Sequence, residues 1–73
     1  MMGEQEAVVL DVRTLSIHGL AYVDVTLGFQ DGSTESARLG PEAVPEGLAA
    51  GERVLATKVA NIVISVRRPD AGS

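Results

Sequence analysis

From Ala21 to Phe29 apolar and polar residues alternate without a break. Ala21, Val23, Val25, Leu27 and Phe29 share one face, and Tyr22, Asp24, Thr26 and Gly28 share the other. Alternation at period two is the mark of a half-buried strand. Ala7 to Thr14 carries the same pattern, which predicts Val8, Leu10 and Val12 inward and Val9, Asp11 and Arg13 outward. Ser16-Ile17-His18-Gly19 connects the two strands, with Gly19 free to take positive φ.

Asp31-Gly32 marks a hairpin after the second strand. A two-residue loop there would set Leu27 against Ser36 and Val25 against Arg38, with polar partners on the buried face. A three-residue loop, Gln30-Asp31-Gly32, instead opposes Val25 with Ala37 and Val23 with Leu39. It also gives Gly32 the left-handed position of a type I turn with a G1 bulge. The three-residue loop is therefore the expected one. The third strand, Ser33 to Leu39, is polar near the turn and should be exposed there.

Gly40 to Glu52 is dense in turn formers. Pro41-Glu42-Ala43-Val44 suits a single helical turn with Pro at its first position, and Pro45 stops it by restricting Val44. Leu48 is the apolar residue expected to plug the end of the fold. Gly51 to Val66 then reads as a closing hairpin rich in β-branched residues, with its turn at Ala60-Asn61. Ile62, Ile64 and Val66 share one face, and Val63, Ser65 and Arg67 the other. Two registers fit. One sets Val59 opposite Ile62 and Leu55 opposite Val66; the other sets Ala56 opposite Ile64 and Val54 opposite Val66. A slip of one exchanges the buried face. Pro69 ends the last strand.

Five short strands with one wide connection predict an all-β fold, a small five-stranded barrel of OB-like or SH3-like type. Its expected extent is residues 7–69, between a disordered polar tail at 1–6 and a tail at 70–73. At 73 residues the chain is one domain, and a chain this short buries only about 60% of its unfolded surface.

The absence of Cys excludes a disulfide framework and thiolate metal sites. No apolar run approaches the roughly 20 residues of a spanning helix. Met-Met-Gly-Glu-Gln-Glu lacks the features of a signal peptide, so the expected location is cytoplasmic, as a whole chain or a soluble piece of a larger one. The Arg, Ala, Gly and Val content suggests a GC-rich bacterial genome.

Net charge is −4, which opposes non-specific nucleic-acid binding. The charge is uneven. Residues 1–36 hold Arg13 as their one cation against six acids, whereas residues 37–73 hold Arg38, Arg53, Lys58, Arg67 and Arg68 against four acids. His18 is the lone histidine and sits in a Gly-containing loop without a partner for acid–base work. Asp24 and Glu35 are expected to approach across the first hairpin, on an outward face where carboxylates serve solubility. No nucleophile–base pair, phosphate-cradling loop or metal-ligand spacing occurs, so neither catalysis nor a cofactor is expected.

Two functional classes remain. One is a non-catalytic binding or assembly module, with protein as the expected partner. The other is an OB-type single-strand nucleic-acid binder. Such binders combine a basic groove with aromatic platforms, and the residues available are Tyr22, Arg53, Arg67 and Arg68; Phe29 is in phase with the core.

The spacing Gly51-x-x-Val54-x-Ala56-x-x-Val59-x-Asn61-x-x-Ile64-x-Val66 resembles the closing part of the OB-like soluble domain of the NfeD family. That pattern commonly has Gly where Asn61 stands. The resemblance covers about a quarter of the chain. It implies a five-stranded barrel that serves membrane-protein assembly or quality control, joined to membrane helices and without catalytic residues of its own. Gly-Glu-x-Val at residues 51–54 is also similar to the strand entry of lipoyl-type and SH3-like modules. Lipoyl-type modules carry a lysine at a hairpin tip beside Met; here Lys58 lies before the turn with no Met near it.

Overall fold

The computed structural model describes residues 2–69; the expected C-terminal tail at 70–73 lies outside them. Five strands appear in chain order: β1 (Met2–Ile17), β2 (Leu20–Phe29), β3 (Thr34–Leu39), β4 (Arg53–Val59) and β5 (Ile62–Arg67). A 3-10 turn, Pro41–Ala43, follows β3 with Pro at its start. All pairings are antiparallel, and one sheet runs in the order β3-β2-β1-β4-β5. The expected barrel is thus seen as a five-stranded sheet that the ladder does not close. Its two edge strands, β3 and β5, face each other across side chains instead.

β1 is the long element that joins both halves. Its first half, Met2–Val8, pairs with β4, and Ala7–Ile17 pairs with β2. Residues 2–6 are therefore strand, not a disordered tail. Residues 3–6 are exposed, so ladder hydrogen bonds rather than burial hold this stretch, and no apolar alternation marks it.

The inward set of β1 also differs from the period-two reading. Ala7 and Val9 are buried, whereas Val8 and Leu10 are exposed. A β-bulge between Val9 and Asp11 leaves Leu10 as the extra residue and resets the phase. Beyond it Val12 pairs with Val25 and packs on the core. Leu10 lies instead over Gly28, where a Cβ would come 3.3 Å from its Cδ1.

The β2–β3 hairpin has the three-residue loop. Val25 opposes Ala37 and Val23 opposes Leu39, and the Phe29 N–H donates to Ser33 O at 2.9 Å. Gly32 sits at φ 87. The Asp31 carboxylate accepts from the Ser33 amide and hydroxyl at 2.9 and 2.6 Å, fixing the turn.

The β4–β5 hairpin turns at Ala60-Asn61, both left-handed at φ 51 and 68, the signature of a type I′ turn. Val59 opposes Ile62 as in the first expected register, but a second bulge between Thr57 and Lys58 shifts the rest. Ala56 then faces Val66 and Leu55 faces Arg67, which matches neither register. The shift buries Val63 and Val66 and leaves Ile62 and Ile64 exposed. Among the described residues Val9, Val25, Leu27 and Val54 are the largest fully buried side chains, and no polar residue is buried with them. Leu48 packs against this core from the wide loop.

Candidate binding surface

The four residues expected to bind a ligand fall into two places. Tyr22 is half-buried on β2 opposite Leu15, near the β1–β2 turn. Arg53 begins β4 opposite Val8, seven residues back along β1, or about 20 Å of strand. Arg67 opposes Leu55 at the same end of the β4–β5 hairpin, and Arg68 follows it. The three arginines gather at one end and Tyr22 stands apart from them.

Carboxylates interleave with that arginine group. Arg67 Nε and Nη2 donate to Glu4 at 2.7 and 3.0 Å, and Arg68 donates to both oxygens of Glu52. These forked contacts match guanidinium geometry to carboxylate. The Arg67 hydrogen bond holds the Glu4 carboxyl below the ordinary carboxylate value. Arg68, with the Ala49 amide, does the same for Glu52.

The pattern extends over the molecule. Arg13 pairs with Asp11, Arg38 with both oxygens of Asp24, and Lys58 with Glu35. The Arg38 hydrogen bond lowers the Asp24 carboxyl as well. Of the six cations in the chain, Arg53 is the one for which no carboxylate partner is seen among the described residues.

Asp24 and Glu35 do not meet. Asp24 lies outward beside Arg38, while Glu35 shares the face of Ala37 and Leu39. Glu35 is thus half-buried rather than outward. Its Oε1 lies 3.1 Å from Lys58 Nζ, its Oε2 accepts from the Val63 amide, and Lys58 Nζ stands 4.7 Å from the Phe29 ring centroid. This clasp joins the β2–β3 and β4–β5 hairpins. Twenty-eight residues separate Glu35 from Val63, and no local pattern announces such a contact.

His18 is exposed in the β1–β2 turn at φ 52. An apolar groove of about 250 Å³ opens between Val12, Thr14 and Val23 of the sheet and Pro41, Pro45 and Leu48 of the wide loop. Among the described residues no three His, Cys, Asp or Glu side chains gather as metal ligands, and no helix is long and apolar enough to cross a membrane. Comparison with family models, with characterised proteins and with solved structures finds no match to this chain.

Proposed function

We propose that the chain is a non-catalytic binding or assembly module on an OB-like, partly open barrel, with protein as its partner. A long first strand shared by both hairpins, and a helical turn between β3 and β4, support the OB-like reading over the SH3-like one. Asn61 stands where the NfeD-like pattern commonly has Gly. Its φ of 68 is a conformation that Asn and the family's Gly share.

The observation that carries the functional reading is the pairing of Arg13, Arg38, Lys58, Arg67 and Arg68 with carboxylates. A groove for single strands needs a run of cations beside an aromatic platform. Here the cations near Arg53 are neutralised, and Tyr22 lies at the other end of β1.

Fluorescence anisotropy with mixed-sequence DNA and RNA oligonucleotides tests the reading. Binding weaker than micromolar at physiological salt is expected. Micromolar or tighter binding that is lost in Tyr22→Ala would replace the assembly role by single-strand recognition.

A further inference from the structure

We propose that two copies of the chain pair antiparallel through the open side of β1, centred on Val12. The inference stands on the β1 edge and does not depend on the functional reading above.

β1 gives one side to β4 only as far as Val8, and Val9 then exchanges hydrogen bonds with Gly51 and Glu52. From Leu10 to Ile17 the β2 ladder is the one backbone pairing seen among the described residues. Alternation from the Ile17–Leu20 pair that flanks the turn directs the N–H and C=O of Val12, Thr14 and Ser16 to the open side. An uncovered edge of this kind is a template for another strand.

The charges select a second copy as the occupant. Asp11 and Arg13 flank Val12 and are exposed, with 55% and 78% of their side chains accessible. A two-fold axis at Val12 sets Asp11 of each copy opposite Arg13 of the other. The existing Asp11–Arg13 contact then becomes part of a four-charge array of alternating sign. An axis at position 13 would oppose Arg13 with its own copy, and one at 14 would set both charges against Leu15 and Ile17. Opposite charges facing across strands stabilise pairing, and like charges oppose it. The ladder spans residues 10–14, because β4 and Gly51–Glu52 hold the side before them. The bulge at Leu10 bends β1 at that limit. An edge that meets itself in this way forms a closed, two-fold interface. It also lies along the apolar groove at Val12 and Thr14, which a second copy would help cover.

Sedimentation equilibrium on the full chain and a charge-exchange series test the proposal, with circular dichroism to confirm folding. The wild type should dimerise. Arg13→Asp and Asp11→Arg should each weaken the dimer about tenfold or more, while the double exchange D11R/R13D should restore it. An equimolar mixture of the two single variants should form heterodimers, since each Asp then meets an Arg. A wild-type chain monomeric at millimolar concentration overturns the proposal, whatever extended peptide its edge captures. So do single variants that dimerise as tightly as wild type, or a mixture of folded single variants that stays monomeric.

Discussion

Glu35 accepts a hydrogen bond from the Val63 backbone amide at 3.0 Å, and so joins β3 to β5 where no ladder does. The contact is partly buried, and its other oxygen holds Lys58 over Phe29. A side-chain carboxylate thus takes the place of a strand carbonyl at the open seam of the sheet. Glu35→Ala leaves a half-buried amide without its acceptor and should cost about 1–3 kcal/mol. Glu35→Gln keeps an oxygen for Val63 and should cost less. Urea denaturation of the two variants checks this, and equal losses would show that the Val63 bond contributes nothing.

The bulge at Leu10 makes a sharp contrast between neighbours. Val9→Ala should destabilise by about 1.5–3 kcal/mol, because Val9 is 1% exposed, whereas Val8→Ala should change stability by less than about 0.5 kcal/mol. Leu27→Ala, at a fully buried position, should cost about 2–5 kcal/mol. Thermal or urea unfolding ranks the three; a costlier Val8→Ala would restore unbroken alternation.

The bulge at Leu10 and the one between Thr57 and Lys58 separate what is legible in the sequence from what is not. β2 alternates from Ala21 to Phe29 without an extra residue of its own, and its face and the Gly32 turn are legible directly. β1 and β5 also look regular, yet one extra residue in each exchanges the faces, leaving Leu10 and Ile64 outside. Nothing in the local pattern distinguishes an outward Leu10 from an inward one; its place depends on Gly28 in the neighbouring strand. Residues 2–6 carry no such pattern for the opposite reason, since an exposed strand needs no apolar period. The arginines were visible as candidates, but Glu4 and Glu52 reach them only through the fold.

The turns yield predictions of opposite sign. Ala60 holds φ 51 without being glycine, so Ala60→Gly should stabilise by about 0.5–1 kcal/mol as left-handed strain is relieved. At Gly32, with open space around a built Cβ but φ 87, Ala should cost about 1 kcal/mol or more. Melting temperatures moving in the same direction for both would contradict the turn assignments.

Glu4, Asp24, Asp31 and Glu52 all titrate below their ordinary values, held down by Arg67, Arg38, Ser33 and Arg68 respectively. A carboxyl lowered in the folded state adds stability above its unfolded value and loses it as pH falls through the folded one. Stability should therefore decline as pH drops below about 4. Asp31→Asn should flatten part of that decline, and urea midpoints between neutral and acid pH follow it. A pH profile unchanged by Asp31→Asn would deny the turn carboxylate its role.

Arg13, Arg38, Lys58, Arg67 and Arg68 each pair with a carboxylate, and the salt dependence of oligonucleotide binding reads that pairing out. With Arg53 the one cation for which no carboxylate partner is seen among the described residues, residual binding at low salt should show a log–log slope of about −0.7, one phosphate contact to a single strand. Removing the carboxylate that holds Arg68, as Glu52→Gln, should steepen it to about −1.4, a second phosphate contact. A wild-type slope already at about −1.4, unaltered in that variant, would show that Arg68 reaches phosphate despite its carboxylate and would overturn the reading of the cations as neutralised.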